Sequence, residues 1–189
     1  TLLLRCHIHF PFNYAGTQMP HLYMFSLGGN AGKSNIEVHD IQFVVADSVE
    51  AALPLLREAW FGDADKIHLD GYQKVQWVAG YDVCLSTEPV QAAEKLYFVN
   101  VGGYSPDTLA ELHDFALFVA TSADDAKKQA LRSLLVGVAQ QHKDNLKEVD
   151  NQLLLDRLQG YYVHLVKNPQ GKPDRPEWQG YRPIGITAA

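Results

Sequence analysis

Two stretches of this chain, HLYMFSLGGN from His21 and KLYFVNVGGY from Lys95, lie on each other without a gap. The offset is 102 − 28 = 74 residues, read from Gly28 and Gly102. Self-similarity at a fixed offset limits the fold more than any local motif, because both copies must build the same unit. Held at 74, it brings Gly28-Gly29 onto Gly102-Gly103 and Glu37-Val38-His39-Asp40 onto Glu111-Leu112-His113-Asp114. It also brings IQFVVADSVEAA onto FALFVATSADDA, then His68 onto His142 and Asp70 onto Asp144. Extra residues in the second copy are expected only after that point. GYDVCL from Gly80 then matches GYYVHL from Gly160 at an offset of 160 − 80 = 80.

The repeat decides the reading of LGGNAGKSN, residues 27–35, which resembles a phosphate-binding loop. Such a loop needs its first glycine five residues before the second. With Gly32 as the second, the first falls on Leu27. The loop must also open into a helix, whose N-terminus helps hold phosphate, yet IEVHDIQFVVAD follows, β-branched and strand-like. The second copy, VGGYSPDTLAELHD, keeps the glycines and drops Gly-Lys-Ser. No nucleotide is expected. The glycine pairs serve close backbone approach or a turn after a strand.

The paired LYxxxxGG and ExHDxxFVVA blocks, the segments HLDGYQKV and HKDNLKEV, and the closing GYxVxL resemble the DUF1543 family over about residues 21–167. The resemblance implies a bacterial domain in one or two copies, with no accepted activity.

Each copy reads strand, glycine loop, strand, helix, strand, strand. Ser48 suits an N-cap, and Val49, Leu53, Leu56 and Trp60 recur at helical spacing. Pro54 should kink that helix and Gly62 should end it. Ser122 or Asp124 caps a longer second helix over about 123–139, with Leu131, Leu134, Leu135 and Val138 on its buried side. Hairpin turns are expected at Ala79-Gly80 and Gln159-Gly160. One copy of this size is marginal alone. The expected fold is therefore α+β: two tandem ββαββ-like repeats packed as a pseudo-two-fold dimer, helices on one side of mostly antiparallel or mixed sheets. Residues 1–20 read as a leader or expression remnant, 21–87 as copy 1, 88–94 as a linker and 95–167 as copy 2. Residues 168–189 read as an extended, Pro-rich tail that Trp178, Tyr181 and Ile184 could anchor.

Polar residues kept in both copies are the functional candidates. In a strand Glu37 and His39 share a face with Ile41, Phe43 and Val45, while Asp40 points away. His39, His113, Glu37 and Glu111 are the candidates for acid–base catalysis. His39, His68, Asp70, His113, His142 and Asp144 are the candidates for a divalent metal, since imidazole and carboxylate suit zinc. Gly28, Gly29, Asp40, Gly102, Gly103 and Asp114 are the candidates for ligand binding. The competing reading is a hydrogen-bonded network that fixes the fold. Cys84 makes a poor nucleophile candidate, because His164 replaces it in the second copy.

Composition narrows the function class. A net charge of −6 and the absence of a basic run with aromatics argue against nucleic-acid binding. No apolar run approaches the roughly 20 residues that span a bilayer. Two cysteines cannot form a disulfide framework, so a cytoplasmic location is expected. The expected role is a module that binds a small molecule or a protein partner, as a monomer or homodimer. The alternative is a hydrolase or isomerase using His–carboxylate chemistry, with metal assistance as an option.

Overall fold

Near-continuous apolar runs build the first hairpin of each half. The computed structural model describes residues 19–89, 91–137 and 147–186, apart from the side chains of 147–152. In it β1 (His21–Gly29) pairs antiparallel with β2 (Val38–Ala46). β6 (Lys95–Gly103) pairs in the same way with β7 (Leu112–Ala120). The registers agree at the 74-residue offset, with Gly28 opposite His39 and Gly102 opposite His113.

Helices α1 (Val49–Ala59) and α2 (Ala123–Ser133) follow these hairpins. Ser48 and Ser122 cap them, their hydroxyls accepting the N–H groups of Ala51 and Asp125. This meets two donors that a helix start leaves unpaired. Pro54 sits inside α1 without ending it. Two expected helix ends are corrected. α1 stops as Trp60 turns extended, before Gly62. α2 stops at Ser133, not near 139, because Leu134 turns extended into the core and Leu135 is left-handed. Val138 lies outside the described residues.

After α1 comes β3 (His68–Lys74), antiparallel to the far side of β1. β2 and β3 therefore run the same way with β1 between them, so α1 crosses over β1. The last strand, β11 (Trp178–Pro183), adds to the outer edge of β3, giving the order β11-β3-β1-β2. In the second half β8 (Lys147–Leu154) takes the side of β6 away from β7.

The β8 register corrects the alignment of the copies. Leu69 lies opposite Leu27, whereas Val149 lies opposite Val101, the counterpart of Leu27. The offset is thus already 149 − 69 = 80, so the extra residues precede this strand. The position of His68, opposite Gly28, is held by Glu148, opposite Gly102. Asp70 and Asp150 each sit at the same register break. His142 and Asp144, matched to His68 and Asp70 by sequence, lie outside the described residues.

The terminal hairpins of both halves share one sheet. β4 (Trp77–Val78), β5 (Tyr81–Ser86), β10 (Tyr161–Lys167) and β9 (Arg157–Leu158) follow one another across it. β5 and β10 join the halves with Cys84 opposite His164. The turns fall at Ala79-Gly80 and Gln159-Gly160, all four residues having positive φ. That is the geometry of the two-residue hairpin turn whose twist matches the strands.

The hairpins are buried on both faces. Tyr23, Phe25, Leu27 and Val44 pack under α1 with Leu56 and Trp60. Tyr97, Val99, Val101 and Phe118 do the same under α2. The opposite faces meet each other and the shared sheet in a central core that includes Leu22, Phe43, Leu96, Phe98, Leu85 and Val163. The protein is thus α+β with antiparallel pairings throughout the described strands. No helix among the described residues is long and apolar enough to cross a membrane.

Candidate functional site

Strand order brings separate sequence motifs together at Gly28. His39 of β2 lies opposite Gly28 on one side and His68 of β3 on the other. A glycine between two histidines leaves an open floor in the sheet. A Cβ at Gly28 would run into His68 Nε2 and come within 2.9 Å of Asp70 Oδ2. Asp70 is the extra residue where the β1–β3 register shifts, and such bulges re-aim side chains.

Four side chains converge there. His68 Nε2 stands 3.2 Å from both Glu37 Oε1 and Asp70 Oδ1. His39 Nε2 stands 3.5 Å from Asp70 Oδ2 and 3.6 Å from Glu37 Oε2. His68 is 2% exposed and His39 56%. The ring of Tyr181, from β11, covers His68 at a centroid distance of 4.4 Å. Among the described residues, no group of three or more His, Cys, Asp or Glu is arranged to hold a metal ion. In the second half His113 Nε2 lies 3.8 Å from Glu111.

The other candidates have structural partners. Asp40 accepts the N–H of Ile41 at 2.8 Å and the Gln42 amide at 2.6 Å. Asp114 accepts the N–H groups of Phe115 and Leu135, so it also fixes the end of α2. The glycine pairs are the last residues of β1 and β6 rather than an open ligand loop. Gly29 packs closely against Trp60 and the Lys66 carbonyl. The loop after β1 is tied by Ser34 to Ala31 and by Gly32 to Asp63, and it leads into a strand. Cys84 is not a free thiol.

His39 and His113 look into one cleft of about 510 Å³ between the halves. Its lining comes in matched pairs at the 74-residue offset: Ser26 with Asn100, His39 with His113, Ile41 with Phe115. Phe98 and Asp40 complete it. Phe98 stacks at a tilt on Phe115, 5.7 Å between centroids, and meets Phe43 edge-on at 5.2 Å. Sequence reasoning missed Ser26, Asn100, Ile41, Phe98 and Phe115. One signal was available: Ser26 and Asn100 are polar residues at the same position of two otherwise apolar strands.

Comparison with known proteins fits this duplicated architecture. The chain is similar to the crystal structure of protein Il1583 from Idiomarina loihiensis, at 32% identity and a TM-score of 0.69. The likeness covers 89% of this chain and 99% of that one. No curated protein matches the chain. Neither that relative's description nor the matching family model, Domain of Unknown Function (DUF1543), carries an activity. The model matches residues 34–85 and again 108–165, so the chain belongs to the DUF1543 family and holds two tandem copies of its domain.

Proposed function

We propose that the protein is a binding module that takes a small molecule in the cleft between its two copies. The pairing of the lining carries this reading. Equivalent residues face one cavity whose volume lies in the range of small-molecule sites, a few hundred to about 1,000 Å³. An aromatic floor supplies contact area, and Ser26, Asn100 and the two imidazoles supply a few directional polar groups, as such sites require.

The reading includes a pseudo-two-fold monomer of two ββαββ units, copy 1 over 21–87 and copy 2 over 95–167, working in the cytoplasm. The register of the shared sheet supports the symmetry. Cys84 faces His164, and these are equivalent positions at the 80-residue offset, so the approximate axis passes between them. A fused pair of this kind makes a cleft on its axis without a second chain.

Ligand-observed NMR against a fragment library tests the proposal. Ser26→Trp fills the cleft and should abolish the signals of fragments bound by the natural protein. Fragments that still bind this variant, or a library without a single binder, would remove the cleft from consideration.

A further inference from the structure

We infer that the ligand of the cleft is an elongated amphiphile: an ammonium head seated between the halves, with an unbranched aliphatic chain leading out along the first half. The inference rests on the cleft being the ligand site, as proposed above. The cleft does not end at its paired lining. A cavity of about 250 Å³ adjoins it and shares Ser26, Ile41 and Phe115 with it. A third, of about 280 Å³, adjoins the second and shares Met24, Gln73 and Phe115. Phe115, 41% exposed, borders all three. Together they make one groove that runs from His39 and His113 to Trp77 and Pro173.

The C-terminal tail makes one wall of this groove. Pro176 and Gln179 line the middle cavity, Pro173 and Asp174 the far one. The wall is fastened at several points. Asp174 Oδ2 accepts the N–H groups of Gln76 and Trp77 at 2.7 and 2.9 Å. The Trp77 indole donates to the Asn168 carbonyl at 2.8 Å, and the Glu177 N–H to the Tyr72 carbonyl at 3.0 Å. Gly71 lets the tail strand come close, since a Cβ there would stand 3.1 Å from the Trp178 carbonyl oxygen. A groove held in shape before binding costs little ordering when it is filled. The tail runs along the first half, so the extension breaks the symmetry of the cleft, and its occupant has two unlike ends.

The lining sets the chemistry of each end. Met24, Ile41, Tyr72, Phe115 and Pro176 make most of the middle cavity, which suits methylene groups. At the head the rings of Phe98 and Phe115 stand beside Asp40. Glu37 and Asp70 lie 3.6 and 3.5 Å from His39 Nε2, and Glu111 lies 3.8 Å from His113 Nε2. Among the described residues, neither Lys nor Arg lines any of the three cavities. Aromatic rings and carboxylates attract an ammonium group. A carboxylate head would meet like charges there, with no fixed cation to offset them.

Calorimetric titration of the full chain with butyltrimethylammonium, octyltrimethylammonium and octanoate, all below their micellar concentrations, tests the inference. The octyl cation should bind at least about tenfold tighter than the butyl cation, since each fully buried methylene is worth a factor of about four in affinity. Octanoate should bind far more weakly than the octyl cation. Gln73 lines the two outer cavities and not the cleft. Gln73→Trp should therefore bring the octyl cation down to the affinity of the butyl cation and leave the latter unchanged. Gln179→Trp, at an exposed position of the tail wall, gives the same readout if the strand does not tolerate the first change. Equal binding of the two cations by the natural chain, octanoate as tight as the octyl cation, or a chain-length gain that persists in the variants would each overturn the inference. Failure of both cations, with NMR fragments still bound and lost in Ser26→Trp, would overturn it and leave the cleft standing. Failure of cations and fragments alike would remove the cleft as well.

Discussion

The helices of the two halves show what the duplication fixes and what it leaves free. α1 buries Ala52 and Leu56, with Trp60 as its C-cap; α2 buries Ala126 and Ala130, with Leu134 as its C-cap. Every pair stands 74 residues apart. The contact positions are shared, but the first half fills two of the three with larger side chains, Leu56 for Ala130 and Trp60 for Leu134. It also receives β11, with Ile184 buried in its core and the Ile184 carbonyl accepting from Arg57 Nε at 2.6 Å. Register and capping are common property of the halves. Core volume and the tail strand belong to the first, which is also the half that holds the four-residue cluster.

Unequal filling gives the largest expected effect. Leu56 is fully buried, so Leu56→Ala should lower stability by about 2–5 kcal/mol, through lost transfer energy and a cavity. Putting the larger residue into the second half, Ala130→Leu, should cost about 1–3 kcal/mol, because Ala130 is equally buried and its surroundings are built for a methyl group. Urea unfolding measures both. Stabilisation by Ala130→Leu would mean that the second core is underfilled rather than fitted to smaller side chains, and the comparison would break.

The sequence made the shared features legible because they repeat. Hairpins, caps and turn positions follow from residue types recurring at one offset, and local chemistry decides them. Features that depend on distant pairing were harder to read. HKDNLKEV looks like HLDGYQKV, so His142 was matched to His68, yet strand pairing chose Glu148. Gly102 and its neighbours select the partner by how β8 lies against β6, and no residue spacing expresses that. The cluster at Gly28 was only half legible. Its members were visible as motifs, but their meeting depends on β1 lying between β2 and β3. The end of α2 was misread because Leu135 continues the apolar spacing, while Asp114, 21 residues earlier, takes its N–H. The cleft was hardest to read, since its lining comes from four strands and includes single residues, such as Ser26 and Asn100, set among apolar neighbours.

The caps sharpen the comparison from the opposite side, since here the halves should behave alike. Ser48 and Ser122 each accept one helix N–H, at 3.2 and 3.1 Å. Ser48→Ala and Ser122→Ala should each cost about 1 kcal/mol. The double variant should cost their sum, because distant sites add. A clearly larger loss at one cap would show that its helix also bears load on the other half.

Where the halves meet, they differ at the central pair, and the effect there should be the smallest. Cys84 and His164 face each other in the shared sheet. Burial lowers the pKa of His164 below its ordinary value of 6.5. His21 is shifted the same way, by burial first and by the Lys74 charge second. The folded chain therefore resists taking up protons that the unfolded chain accepts near pH 6.5. Below that pH the unfolded state binds more protons, so stability should fall as the pH drops from 6.5 through the folded pKa values and be flat above. His164→Asn removes one of these groups and leaves His21. It should make the fall in Tm between about pH 7.5 and 5.5 shallower without abolishing it. An unchanged slope would assign the pH response to His21. A steeper one would mean that His164 gains rather than loses by charging, and the sheet joining the halves would then hold a favoured cation on its axis.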